Sequence, residues 1–434
     1  VYRYGDTLIH YNGGETTPVD KVLWRTIVSD SCVQCTVTET KNGTVIKPLL
    51  WAADNAAIVD SMLSINIPTA VPAVERIVSL PVFSVSGKLL TDGYHDESKV
   101  LVTYKQQPQD MDVEAAIDLM CELFYDFPYP DDSGFANTLA YLLLPFVRDM
   151  VGNTPIHLID ASQRGTGKGL LSDIIHTIWT GECTEVSDLP LNIEEQRKQL
   201  TTRLLSNPMS VFFDDISYLG GHGIQRAITA ATWTDRLLGQ NKTVSVPVRC
   251  VWGASGNNVT LGGDMVRRVV LIRLESDEEI PAQRTGFIKS ESQLRQWVRD
   301  DRDKFISACI ALIRHGLANG KPDNIKMGGF DDYVKIISTI LNGCGIPGFL
   351  SNIEAVQDRE DTRQSGWKVV VREWYEQWGT DQVKAGDIAR LIESIECDIV
   401  LDGDTERARQ TMAGKMLKGL IGTVFAFPEG RMRI

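Results

Sequence analysis

The stretch PIHLIDASQRGTGKGLLSDIIHTIW, residues 155–179, decides how the rest of this chain is read. It divides into a short apolar strand from Ile156 to Ile159, a glycine-bearing loop, and a helix with Leu170, Leu171, Ile174, Ile175 and Ile178 on one face. The loop SQRGTGKG, residues 162–169, is close to the phosphate-binding pattern G-x-x-x-x-G-K-[ST]. Gly165 and Gly167 let the backbone curl until consecutive N–H groups face one anion, and the following helix turns its positive end to the same place. Lys168 then reaches the β- and γ-phosphates. The candidate ATP contacts are Ser162, Gln163, Arg164, Gly165, Thr166, Gly167, Lys168, Gly169 and Leu170. Two positions depart from the pattern: Ser162 replaces the first glycine, and Gly169 replaces the hydroxyl residue that normally touches Mg²⁺. A metal here has to be held by water and by a carboxylate from elsewhere. A glycine-rich turn with a surface lysine would use some of the same letters, but strand, loop and helix follow in the order nucleotide binding requires.

At 434 residues the chain exceeds one ordinary core, and two to four domains are expected. With 43% hydrophobic and 23% charged residues it has a normal globular composition. The net charge of −13 excludes a chain that coats nucleic acid over its whole surface; such contact has to be local, in a groove or pore lined by a few Lys and Arg. No run of eighteen apolar residues and no secretory signal is visible, so no membrane span is expected and the expected location is cytoplasmic. The eight cysteines are scattered, several in apolar runs, as free thiols are. Cys32 and Cys35 form one CxxC without a second pair, and read as structural rather than as a zinc site. The first residues, Val-Tyr-Arg, suggest a fragment with a domain missing upstream.

Residues 1–108 read as an α+β accessory region, with strands at 7–11, 32–40 and 99–105, helices at 20–28 and 55–64, and apolar strands in 71–94 around Ser86-Gly87-Lys88. Residues 109–150 carry two helices, 111–125 with one apolar stripe and 132–150 apolar all round and therefore buried. A charged helix is expected at 193–205. The run MSVFFDDI, 209–216, is an apolar strand ending in two acids. Asp214 suits orientation of Mg²⁺ or its water, and Asp215 suits activation of the attacking water. Asp also commonly ends strands, and only the position behind a phosphate loop lifts the pair above that reading. A helix at 223–231 precedes a hairpin at 236–250 with Lys242 at its tip, where a solvated turn lysine is the ordinary explanation. In residues 251–274 an apolar strand ends at Gly256-Asn257-Asn258, and a glycine-rich loop leads to Arg267-Arg268 and another strand. Asn257 could polarise the attacking water, and Arg267 or Arg268 could enter a neighbouring subunit's site, although paired arginines beside a strand are usually a solvated edge. Helices at 290–320 and 330–342 follow, with Arg295 a weaker candidate for phosphate contact. The last seventy residues order three helices (367–378, 384–395, 405–420) before a hairpin, the winged-helix order. Arg407, Arg409, Lys415, Lys418, Arg431 and Arg433 make this tail locally basic, which fits DNA or RNA contact as well as it fits protein packing.

Taken as an ordered set, GTGKG (165–169), FFDDI (212–216), the Lys242 hairpin, GNN (256–258), GGDMVRR (262–268), residues 330–352 and the terminal helices resemble the AAA+ replicative helicases of phages and mobile elements. The resemblance is to the superfamily 3-like, minichromosome-maintenance-like kind often fused to a primase–polymerase. It covers roughly residues 70 to 360 well and the ends weakly. It implies an α/β fold: an AAA+ P-loop ATPase core at 151–275, a helical lid at 276–362 and a winged-helix domain at 363–434, behind the accessory regions 1–108 and 109–150. It implies ATP and Mg²⁺ as cofactors, single-stranded or forked DNA and a homo-oligomer, a hexamer, as partners, and a primase–polymerase upstream or separate. Under it Lys168 binds phosphate, Asp214 the metal and Asp215 the water, although many relatives carry glutamate at that second acid. Asn257 is the polar sensor, Arg267 or Arg268 the finger in trans, and Lys242 the pore-facing DNA contact, with Arg407, Lys415, Lys418 and Arg431 as further DNA contacts. The activity implied is an ATP-driven DNA helicase acting in replication of a phage or mobile element, in a bacterial, archaeal or phage-infected cell. A nucleotide-switched initiator or loader without unwinding, and a remodeller acting on protein, remain the other readings.

Overall fold

In the computed structural model every residue is described except 5–6, 21, 24–34, 41–42, 49–70, 191, 237–242, 277, 279–280, 282–283, 396–398, 400, 402, 404, 423 and 428–429. Strand β1 (Ile156–Ala161) is buried along its whole length, as a strand covered on both faces must be. It is followed by β2 (Val186–Ser187), β3 (Ser210–Leu219), the hairpin strands β4 (Thr232–Arg236) and β5 (Thr243–Pro247), β6 (Val251–Leu261) and β7 (Val269–Leu274). Five of these form one sheet in the order β2-β3-β6-β1-β7. β1 runs parallel to both β6 and β7, in a register that sets Ala161 opposite Asn257 on one side and Leu274 on the other. In such a sheet the carboxyl ends of the strands share one edge, where ligands bind.

Helices cover this sheet. α1 (Val113–Phe124) starts at Asp112, whose carboxylate accepts from the Glu114 amide. α2 (Asp132–Leu143) is buried nearly all round and is fixed by Asn137, whose amide donates to the Leu271 carbonyl at 2.8 Å and accepts from Leu350 at 3.0 Å. It is shorter than the helix expected at 132–150. Pro145, which has no N–H to continue the ladder, turns the chain into a 3-10 segment at Leu144–Val147. α3 (Lys168–Thr180) carries the apolar face read from sequence, and Trp179 Nε1 on it donates to Leu142 of α2 at 2.9 Å. α4 (Ile193–Leu205) has the expected bounds because Asn192 caps it, and α5 (His222–Thr229) follows.

The hairpin starts before residue 236: β4 and β5 pair antiparallel from Thr232–Pro247 to Arg236–Thr243. Its expected tip, with Lys242, lies outside the described residues. The root of this hairpin is held by Arg148, a buried guanidinium that donates to Val248 (3.1 Å), Cys250 (3.3 Å), Val151 (3.1 Å) and Gly152 (2.8 Å) carbonyls. Two histidines are buried, His157 in β1 and His176 on α3. His157 stacks on Tyr141 at 4.7 Å and meets Tyr333 Oη at 2.9 Å, while His176 bonds the Ser172 carbonyl at 2.8 Å and Thr184 Oγ1 at 3.0 Å. Burial pushes their imidazoles down, to about 3 for His157 and about 4 for His176.

The helix expected over 290–320 is two. α6 (Glu291–Asp300), opened by the capping box of Ser290 and Gln293, ends at Asp301, and α7 (Arg302–Asn319) begins there. α8 (Asp331–Gly343) follows. The N-terminal strands 7–11 and 99–105 are present as Thr7–Asn12 and the shorter Val100–Val102, and Val82–Phe83 pairs with Leu89–Leu90 around the turn at Gly87. The expected helix at 55–64, most of that at 20–28 and Cys32 lie outside the described residues, and Cys35 begins the strand Cys35–Thr40.

By its internal contacts the chain forms two units: Val1–Ser217, Gly221–Val259 and Arg268–Leu350 in the first, Tyr218–Gly220, Thr260–Arg267 and Ser351–Ile434 in the second. The second holds α9 (Ile353–Trp378), α10 (Ala385–Ser394), α11 (Glu406–Leu420) and the hairpin β8 (Val424–Phe427)–β9 (Gly430–Arg433) around Trp367, Val370, Ile388, Leu391, Ala413 and Phe425. α9 begins fourteen residues before the helix expected at 367, because the polar stretch 353–366 is helical as well. Among the described residues no helix is long and apolar enough to cross a membrane.

Candidate functional site

At the carboxyl end of β1 the chain leaves the sheet and turns into α3 through the loop 162–167. Gly165 and Gly167 have φ of 81° and 100°, the left-handed region that a side chain rarely tolerates. Gly167 is the N-cap of α3 and provides no side chain to satisfy the first amides, so these point outward for an anion. Lys168, the first helical residue, reaches across to β6, where its Nζ donates to Asn257 Oδ1 at 2.7 Å. Burial lowers its pKa, and the charges of Asp215, Asp160 and Asp214 oppose that shift.

β3 delivers the two acids to the same edge. Its apolar residues Val211, Phe212 and Phe213 are buried, whereas Asp214 and Asp215 are exposed. The strands β3 and β6 come close at Gly256, where a Cβ would lie 2.1 Å from the Ile216 carbonyl oxygen. That approach sets both acids beside Ser255, whose Oγ donates to Asp214 Oδ1 and lies 3.4 Å from the Asp215 amide. Asp215 has φ of 47°, an uncommon conformation for a non-glycine residue and one found at functional turns.

A cavity of about 600 Å³ joins these parts. Its lining combines the polar groups of Gly165–Gly169, Asp214, Asp215 and Ser255 with the apolar side chains Phe127, Phe287 and Leu294, Phe127 lying against Gly167 of the loop. Arg284 and Lys289 also line it, Arg284 over the Phe287 ring at 4.7 Å and Lys289 over the Trp297 ring at 4.0 Å. Volume and lining are those of a pocket for a molecule with an anionic and a flat apolar part. The two carboxylates are hard oxygen donors that fit Mg²⁺ completed by phosphate oxygens and water, and Ser255 is hydrogen-bonded to the first of them. Among the described residues no group of three or more His, Cys, Asp or Glu forms a closed cage.

Beneath the loop lies a brace that pattern reading does not find. Asp160, fully buried in β1, pairs with Arg273 of β7 at 2.5 Å and accepts from the Val259 amide at 3.0 Å. Arg273 also donates to Asn258 Oδ1 at 3.2 Å, and Asn258 Nδ2 donates to the Ser162 carbonyl at 3.1 Å. Asn258 has φ of 46°. β6 therefore does not end at GNN: it passes through the left-handed Asn258 and continues to Leu261, and Asn257, on the face of Ser255, meets Lys168.

The structure thus gathers the loop, Lys168, Asp214, Asp215 and Asn257. Arg268, half-buried, donates to the Gln225 carbonyl at 2.8 Å and does not line the cavity; Arg267 belongs to the second unit, exposed and paired with Asp264. Arg295 is engaged by Asp173 at 2.5 Å and Glu291 at 2.9 Å, fastening α6 to α3 instead of facing phosphate. Arg407, Lys415 and Lys418 are exposed on α11, and Arg431 lies in β9. Ser255, two residues before Asn257 on the same strand face, could have been found from the alternation of a strand. The Asp160–Arg273 pair needed the sheet register.

No protein-family model matches the chain, and no curated protein matches it. Among solved structures, the A-form apo structure of the NrS-1 C-terminal region is similar at 16% identity, over 92% of this chain and 93% of that one, with a TM-score of 0.38. A second structure of the same region, residues 305–718, has 14% identity, 96% and 100% coverage and a TM-score of 0.38. A JCV helicase bound to a thiazolopyridine phenoxyphenyl acetamide has 15% identity over 54% of this chain and 66% of that one, with a TM-score of 0.24. At TM-scores this low these likenesses add no weight to the site chemistry, which stands on the chain's own residues.

Proposed function

We propose that this chain is an ATP-hydrolysing DNA helicase of the AAA+ type, acting as a hexameric ring in replication of a phage or mobile element. The observation that carries the reading is the Lys168–Asn257 contact, with Asp214 and Asp215 in the same cavity at the carboxyl edge of the sheet. Lys168 and the loop amides hold the β- and γ-phosphates, Asn257 and Asp215 orient and activate the attacking water, and Asp214 holds the metal. Mg²⁺, when held by Asp214, would offset the negative charge of the phosphates. Arg267 or Arg268 of a neighbouring copy supplies a further cation. Residues 276–362 serve as lid and 363–434 as a winged helix that touches DNA through Arg407, Lys415, Lys418 and Arg431. Lys242 grips the threaded strand; a few phosphate contacts per subunit, multiplied by symmetry, suffice for an acidic protein to hold DNA. A primase–polymerase, fused or separate, is the expected partner.

The test uses ATP, Mg²⁺ and forked DNA. The wild-type chain should displace a strand, and Lys168→Ala should weaken ATP binding by roughly 100-fold, the loss of one charge-assisted contact of about 3 kcal/mol. A Lys168→Ala protein that hydrolysed ATP at the parental rate would remove the assignment. ATP-dependent DNA binding without displacement would select the initiator or loader instead.

A further inference from the structure

Position 169 lacks the hydroxyl that a phosphate loop normally offers to the metal, and the cavity contains two other hydroxyls. Thr166 Oγ1 is directed back into its own loop, toward the Gln163 carbonyl at 3.4 Å. Ser255 faces the acids. It is 1% exposed, is placed by its register opposite Ile159, and lies on the face of β6 that carries Asn257. A serine hydroxyl has one proton to donate and two lone pairs. Here the proton goes to Asp214 Oδ1 and a lone pair faces the Asp215 amide. One buried hydroxyl thereby governs the orientation of the first acid and the backbone turn of the second. With Oδ1 of Asp214 engaged, Oδ2 is the oxygen presented to a hydrated cation.

We propose that Ser255 is a positioning residue for the divalent cation, performing from the neighbouring strand the task that a hydroxyl at position 169 performs elsewhere. The inference rests on the nucleotide reading above. Outer partners that orient a metal-binding carboxylate set its affinity for the ion, and losing one typically costs 10- to 100-fold. The metal-dependent part of nucleotide affinity should accordingly depend on Ser255, and the metal-independent part, made by the loop amides and Lys168, should not.

The experiment is a titration of Mg²⁺ into the full chain with a fluorescent, non-hydrolysable ATP analogue, beside a series in EDTA. Ser255→Ala should raise the Mg²⁺ concentration for half-maximal enhancement about tenfold and leave binding in EDTA unchanged. Ser255→Thr should retain the wild-type midpoint. Ser255→Cys, which keeps the volume but exchanges a strong donor for a weak one, should share the alanine defect, and decides the matter if the alanine variant does not fold. Gly169→Ser placed in the Ser255→Ala background should restore the midpoint, because a Cβ at Gly169 meets nothing within 4 Å. An unchanged midpoint in Ser255→Ala and Ser255→Cys, or an equal loss with and without metal, would overturn the proposal. Absence of nucleotide binding by the wild-type chain under both conditions would overturn the nucleotide assignment itself, and this inference with it.

Discussion

Replacing Arg273 by Met tests the brace under the loop most directly. Asp160 is fully buried and Arg273 is 12% exposed at the side chain, so the pair sits in a weakly screened setting. Removing the guanidinium leaves a buried carboxylate that keeps the Val259 amide but loses the cation, and breaking such a pair costs about 3–5 kcal/mol. The residual exposure of Arg273 places the expected loss near the lower end, about 3 kcal/mol. Asp160→Asn should cost less, about 1–2 kcal/mol, since Arg273 retains Glu275 at 2.8 Å and the new amide oxygen can still accept from Val259. The double variant should therefore be more stable than the sum of the two losses predicts. The assay is urea unfolding followed by tryptophan fluorescence, for which the buried Trp179 and Trp252 report on this unit. A loss below about 1 kcal/mol in Arg273→Met, or additivity within about 0.5 kcal/mol, would refute the view that the pair acts as a unit.

Acid should destabilise the first unit through its buried histidines. His157 and His176 have folded values of about 3 and about 4, below the ordinary 6.5, so folding favours their neutral forms. Stability is fully present above pH 6.5 and should fall as pH drops from there toward 4, by about 1.4 kcal/mol per pH unit for each group. Unfolding midpoints measured from pH 7 to 4.5 check this, and a His157→Phe/His176→Phe variant with the same slope as wild type would remove the explanation. Gly256→Ala should cost more than about 3 kcal/mol, because the added Cβ meets a backbone carbonyl that cannot swing aside. Soluble protein with wild-type thermal stability would show that β3 and β6 can separate there without penalty.

What could be read from the letters followed from local physics. The strand, glycine loop and striped helix of residues 156–180 form where the apolar pattern and the glycines require, and α4 begins at its Asn192 cap. Asn257 was visible as a polar residue after an apolar run, but the continuation of β6 was hidden. Only Asn258, in a left-handed conformation held by Arg273 and Ser162, lets the strand continue. The Asp160–Arg273 pair spans 113 positions and exists because β1 and β7 are neighbours in register, which no local window contains. The start of α9 was missed for a different reason: residues 353–366 are rich in Glu, Asp, Arg and Gln, a composition shared by solvated helices and linkers. Alternation sets Ser255 on the face of Asn257, but its role becomes legible only with Asp214 of the neighbouring strand beside it.

The guanidinium of Arg148 ends up as a mooring post. It ties residues 248 and 250, where the β4–β5 hairpin rejoins the sheet, to residues 151 and 152, from which β1 sets out. Under the translocase reading proposed above, a pull on the hairpin stem would pass through this side chain to the strand that ends in the phosphate loop. A lysine at 148, with one nitrogen instead of a planar fork, could not fasten both ropes, so slack would enter between the arm and the pocket.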